Sequence, residues 1–190
     1  MSNTTSAIVT LPYEKLRQKS KAIASITPEV EMLANDMKEA TLEWEANRDH
    51  EVGVALAAIQ IGELKRVIVV REDFDNRENK NFTTYINPKI TKYSGEVHED
   101  YEGCLSVKDI YGLVPRYNDI EFTALTPEGK TITTQANGFL ARVIQHEVDH
   151  TNGILFIDHI KDKDAFFVLR EDGDLEKLAH EEILKSNILW

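Results

Sequence analysis

Two histidines four residues apart, with an acid beside the first, stand in Gln145-His146-Glu147-Val148-Asp149-His150. On a helix, positions i and i+4 share a face, so His146 and His150 can aim two imidazoles at one point. Neutral imidazoles are good ligands for a divalent transition metal. Glu147 adjoins the first of them, where a proton-transferring carboxyl serves hydrolysis. A catalytic site of this kind wants three protein ligands and a position left for water. Two sources of a third ligand are open. One is an acid or histidine downstream, such as Asp158 or His159, as in metallopeptidases. The other is the single thiol of the chain, Cys104, in Glu102-Gly103-Cys104-Leu105-Ser106. A lone cysteine is ordinarily a small buried hydrophobe. Beside a metal it ionises and becomes a strong soft ligand.

These groups need elements to hold them. Asn137-Gly138 precedes a run in which Phe139, Leu140, Val143, Ile144 and Val148 recur at helical spacing, and Asn152-Gly153 offers a stop. The histidines therefore fall late in a largely buried helix, where each needs a partner. Gly53 to Gly62 is small and apolar apart from Gln60, an amide that also needs a partner if buried. Thr27-Pro28 starts an amphipathic helix reaching about Asn47, with Val30, Leu33, Ala34, Met37, Thr41 and Trp44 as its apolar stripe. Arg66 to Val70 reads as a buried strand. Tyr85 to Ile90 reads as a second strand that Pro88 makes irregular or places at an edge. Asp73 to Asn81 is polar and reads as an exposed loop. Glu121–Leu125 and Lys130–Thr134 flank the turn Pro127-Glu128-Gly129 as a hairpin. Asp164 to Arg170 is expected to begin a further helix, and 174–187 to form a C-terminal helix. The sum is one α+β domain over residues 1–190, with antiparallel strands packed around a central metal-binding helix.

Composition narrows the function. The chain is 42% hydrophobic and 29% charged, which fits a compact domain with a real core. A net charge of -11 lacks the basic excess expected of a nucleic-acid binder. With one cysteine no disulfide forms within the chain, so nothing points to an oxidising compartment. No apolar run approaches a membrane span. Met1 to Thr10 has no basic region followed by an apolar core, so it does not read as a secretory signal. It is Ser/Thr-rich with no acid before Glu14, which leaves a short organellar transit segment open. Cytoplasm is the default expectation.

The three stretches Gly53 to Gln60, Glu102 to Ser106 and Gln145 to His150 resemble, in order and spacing, the three signature motifs of the peptide deformylase family. Leu11-Pro12 to Arg17, Tyr85-Ile86-Asn87-Pro88, Tyr111 to Arg116 and Gly153-Ile154-Leu155-Phe156 extend the similarity over most of the chain. The resemblance implies that Cys104, His146 and His150 bind the metal, with water in the fourth position. It implies that Glu147 moves protons, and that the Gln60 amide and the Leu105 backbone N–H bind the developing oxyanion. The substrate would be the N-terminal formyl-methionine of nascent bacterial or organellar proteins. The metal would be ferrous iron, with zinc, nickel or cobalt able to take its place. Phe139 and Val143 would line the methionine pocket. Gly103, Val54 and Ala55 would lie beside a peptide backbone bound as an added strand.

The chain also departs from the family pattern. Ala55 stands where a second glycine is usual, and its methyl either trims the pocket or points away. Thr151 replaces a commoner leucine. In some bacterial members a basic C-terminal helix docks on the ribosome. Here Glu171, Asp172, Asp174, Glu176, Glu181 and Glu182 outnumber Lys177 and Lys185, which argues against that route. Asp149 is expected to be structural, and Glu102 to pair with Arg116 or Arg142. His50, His98, His159 and His180 carry no motif and read as surface or packing residues. Two other functions compete: a zincin-type metallopeptidase that leaves Cys104 idle, and a non-catalytic binder of N-termini. Intact Glu147, Gln60 and three ligands argue against the second.

Overall fold

Val67–Arg71 (β2) is buried along its whole length, as its β-branched run predicts. The computed structural model, which describes residues 7–162 and 164–185, shows why: a helix covers each face. Successive strand residues point to opposite sides. Val67 and Val69 pack with Val30, Leu33 and Met37 of the helix Pro28–Ala46 (α1). Ile68 and Val70 pack with Ala141, Val143, Ile144 and Val148 of the helix Gly138–Thr151 (α2). The apolar stripe of α1 ends differently from expectation. Glu45, 4% exposed, takes the last inward position, and Trp44 turns half-buried toward a cleft.

One antiparallel sheet contains the remaining strands, Ala55–Ala57 (β1), Phe82–Cys104 (β3), Val107–Leu125 (β4), Thr131–Asn137 (β5), Phe166–Leu169 (β6) and Leu175–Lys177 (β7). Its order is β1-β2-β3-β4-β6-β7, with β5 paired to β4. The expected hairpin joins β4 to β5, with Leu125 opposite Thr131. The strand expected to end at Ile90 instead runs 23 residues to Cys104. Pro88 falls where the register shifts between Ile86 and Lys89, as a residue with no N–H to give the ladder should. The α+β class and the central helix of the sequence reading both stand.

The C-terminal reading needs correction. The helix expected from Asp164 to Arg170 is β6, paired with β4 through Ile110–Val168 and Gly112–Phe166. The helix expected over 174–187 is β7 followed by one short helix, His180–Lys185 (α3). Phe166, Phe167 and Val168 are strand-forming types, and β4 offered them an open edge. Gly173, at φ +90°, lets the chain turn back so that β7 pairs with β6. Ser186 and Asn187 lie outside the described residues, as do Met1 to Ser6 of the segment read for targeting. Among the described residues no helix is long and apolar enough to cross a membrane.

Candidate metal and active site

Helix α2 is fixed before its chemistry begins. Gln145 Nε2 donates to the Tyr117 carbonyl at 2.9 Å, and Gln145 Oε1 accepts the Tyr117 N–H at 3.3 Å, tying the helix to β4. Gly153 follows the helix at φ +76°, where a Cβ would come within 2.5 Å of the Arg17 carbonyl oxygen. A glycine is therefore required there twice over. The imidazoles of His146 and His150 share one face, with ring centroids 4.9 Å apart.

Cys104 ends β3, beside the tight turn Leu105-Ser106 that leads into β4. Its Sγ is 3.2 Å from His150 Nε2. One ligand atom each from Cys104, His146 and His150 lies within 4.8 Å of the others, and all three residues are buried. Glu102 organises this group from behind. Its carboxylate accepts His146 Nδ1–H at 2.9 Å, which leaves Nε2 as the ring nitrogen for a second partner. It also accepts Arg116 through Nε and Nη2, at 2.9 and 3.1 Å, and Arg142 Nη1 at 2.8 Å. The sequence left a choice between Arg116 and Arg142; both pair with it. Burial opposes ionisation of Glu102, but hydrogen bonds from His146 and Arg116 outweigh it and hold the carboxyl well below its usual range.

Arg116 continues to Asp149, whose Oδ2 also meets His159 Nε2 at 2.7 Å. Asp149 is thus structural, as read, and His159 is its partner. Asp158 pairs with Arg17 and accepts the Leu155 N–H. Neither alternative third ligand, Asp158 or His159, joins the sulfur–imidazole group.

The electrostatics of the group are those of a site built for a cation. Burial works against charge on His146, but hydrogen bonds and charge attraction from Cys104 and Glu102 raise its pKa well above the ordinary value. Burial and the neighbouring His146 charge push His150 well down. Burial raises Glu147 to about 7. Among the described residues, Glu147 Oε2 and His150 Nδ1 are buried without a hydrogen-bond partner. Buried polar atoms are rarely left so, and the set is incomplete as a purely structural network. One sulfur and two imidazole nitrogens fit a borderline-soft divalent metal, and a water beside Glu147 would complete the carboxyl.

The group opens into a cleft of about 280 Å³. Gln60, Leu105 and Glu147 line it, and so do all five expected contact residues, Val54, Ala55, Gly103, Phe139 and Val143. Gln60 is 1% exposed. Its Oε1 accepts the Ala57 N–H at 2.8 Å, and its Nε2 lies 3.2 Å from Ser106 Oγ and 3.5 Å from Cys104 Sγ. The Ala55 side chain belongs to the core cluster with Ile68, Val70 and Val143. Gly103 lies under a ring: a Cβ there would sit 2.6 Å from Tyr111. Phe139 stays 47% exposed and meets Phe74 edge-on at 4.8 Å, so the polar loop 73–81 contributes an aromatic to the rim.

Sequence reasoning missed the clamp under this cleft. Glu45 accepts the Gly53 N–H at 2.9 Å, and Arg71 Nε donates to the Gly53 carbonyl at 3.0 Å. Glu45 and Arg71 are themselves a buried ion pair. The one available hint was Gly53, whose Cβ would lie 2.5 Å from Thr41 Cγ2 of α1. Arg142, Trp44 and Glu51 also line the cleft without any motif to mark them.

Comparison with known proteins agrees with this geometry. The polypeptide deformylase family model matches residues 5–166. A peptide deformylase of Agrobacterium fabrum is 40% identical over 153 residues, covering 80% of this chain and 85% of that protein. One from Thermomicrobium roseum is 41% identical over 170 residues, covering 88% of this chain and 92% of that protein. The crystal structure of a peptide deformylase from Synechococcus elongatus in complex with actinonin superposes with a TM-score of 0.76 at 30% identity. It covers 85% of this chain and 84% of the other.

Proposed function

The chain belongs to the polypeptide deformylase family, and from that premise we propose that its cleft hydrolyses the formyl group from the N-terminal formyl-methionine of nascent peptides, releasing formate. The observation that carries the reading is the meeting of Cys104, His146 and His150 beside a buried Glu147 at the floor of a cleft.

Cys104 Sγ and one nitrogen each of His146 and His150 would hold one divalent ion, Fe(II) in the cell, with zinc, nickel or cobalt as substitutes. When bound, the ion supplies Lewis acidity, which brings the pKa of water to about 7 and polarises a carbonyl. Glu147 takes a proton from the attacking water and passes it to the departing amine, without which the C–N bond breaks poorly. Gln60 Nε2 and the Leu105 N–H donate to the formyl oxygen as it gains charge. Val54, Ala55 and Gly103 flank the extended peptide backbone, and Phe139 and Val143 receive the methionine side chain. The Ala55 methyl is engaged in the core, which supports the harmless reading of this departure from glycine. A reduced Cys104 suits the cytoplasm. Docking on a ribosome through a basic C-terminal helix has no support from α3, where Glu181 and Glu182 face a single Lys185.

The test is formate release from formyl-Met-Ala by protein loaded with iron anaerobically. Glu147→Ala is expected to keep a full equivalent of metal and to lose turnover. Hydrolysis by Glu147→Ala at the parent rate would remove the proton-transfer role, and no release by the parent would remove the function.

A further inference from the structure

Asp73 to Asn81 is polar apart from Phe74, and that single apolar side chain is half-buried with its ring against Phe139. The rings meet edge to face, 4.8 Å between centroids and 61° between planes. This arrangement sets the positive edge of one ring on the negative face of the other. The loop that carries Phe74 is itself fixed. Arg77 Nη2 donates to the Glu45 and Arg48 carbonyls at 2.7 and 2.6 Å, and Nη1 to the Asp49 carbonyl at 3.1 Å, at and just beyond the end of α1. Arg71 Nη1 donates to the Arg77 and Asn79 carbonyls at 3.2 and 2.9 Å. Arg71 and Glu45 are also the pair that clamps Gly53. The loop and the Val54–Ala55 side of the cleft therefore share one anchor.

Phe139 has need of a neighbour. It is the second residue of α2, lines the cleft, and is 47% exposed. An exposed side chain at a helix start has more than one staggered rotamer open to it. Ordering it only when a ligand arrives takes free energy from binding, whereas ordering it beforehand does not. Among the described residues that line the cleft, Phe139 is present and Phe74 is not. We propose that Phe74 is a positioning residue for recognition of the first side chain of the substrate. Its ring holds the Phe139 ring in place as a wall of the cleft, and the Arg77 and Arg71 contacts hold the loop that presents it. The inference rests on the reading of Phe139 as a contact of the methionine side chain.

The experiment is a double-mutant cycle in kcat/KM for formyl-Met-Ala on iron-loaded protein, with Phe74→Ala, Phe139→Ala and both together. Phe74→Ala is expected to lower kcat/KM by roughly three- to tenfold, the scale of one ordered aromatic pair, and Phe139→Ala by at least as much. In the Phe139→Ala background, Phe74→Ala is expected to change it by less than about twofold. A general loosening of the loop or of the Gly53 clamp acts in both backgrounds by the same factor, and that result overturns the proposal. So does a kcat/KM within about twofold of the parent for either single variant. Should Phe74→Ala not fold, Phe74→Leu, which keeps an apolar side chain and loses the ring, goes through the same cycle under the same criterion. If the parent does not hydrolyse formyl-Met-Ala, the functional reading fails and the proposal with it. If only the cycle fails, that reading stands.

Discussion

Gln60→Leu separates catalysis from folding. Leucine fills much the same volume but removes the Nε2 donor and the Oε1 acceptor at a position only 1% exposed. The Ala57 N–H then loses its acceptor, a bond of 2.8 Å. Leaving such a group buried and unpaired costs about 1–3 kcal/mol of stability. For a domain only about 5 kcal/mol stable, the low end of the usual range, the worst case leaves about 2 kcal/mol and roughly 97% of molecules folded. Loss of one oxyanion donor raises the barrier by about 2.7–4 kcal/mol, or roughly a hundred- to a thousandfold in kcat. The kinetic effect thus exceeds anything that unfolding supplies. Steady-state formate release, elemental analysis and urea titration on the same preparation read the separate terms. We expect kcat to fall by about two to three orders of magnitude with KM within about threefold, metal content intact and the urea midpoint lowered. A kcat within about threefold of the parent, with metal retained, would refute Gln60 as an oxyanion donor.

Cys104→Ser replaces a soft thiolate with a hard, protonated oxygen and is expected to lose most iron or zinc on dialysis; a full equivalent by elemental analysis refutes the sulfur as ligand. Ala55→Gly removes a buried methyl worth about 0.8 kcal/mol and adds about 0.5–1 kcal/mol of backbone entropy cost. Urea titration should show about 1–2 kcal/mol lost with kcat/KM within about threefold. A large rise in kcat/KM would mean that the methyl obstructs the peptide. Glu45→Ala strands Arg71, whose side chain is 0% exposed, and is expected to cost about 3–5 kcal/mol in the same titration. A loss under about 1 kcal/mol would mean that the Gly53 clamp contributes little.

Where chemistry and periodicity coincide, the sequence was enough. His146, Glu147 and His150 are rare types at a spacing that only a helix makes useful, and Phe139 to Val148 supplied that helix. Cys104 was placed beside the histidines by the family resemblance and not by its own stretch, because the long β3–β4 hairpin that brings it to α2 had no apolar alternation to announce it. Most residues between Lys89 and Asp100 face solvent, and their order comes from backbone pairing, to which side-chain patterns are blind. The same blindness turned β6 into an expected helix. A short apolar run such as Phe166 to Leu169 fits either period, and the free edge of β4 decided it.

Charges inside the protein were the least legible of all, for a physical reason. A buried carboxylate survives only where several donors converge, and those donors come from distant parts of the chain. Glu102 on β3 draws Arg116 from β4, and Arg142 and His146 from α2. Either arginine alone looked sufficient from sequence, which is why choosing between them had no basis, and the pairing with His146 was not foreseen. Convergence also explains why the hub is a carboxylate beside the two-histidine face of α2. A single acceptor that ties two strands to one helix fixes the imidazole of His146 in one tautomer and orientation. The arginines act on His146 only through Glu102, whose Oε2 meets its Nδ1 at 2.9 Å.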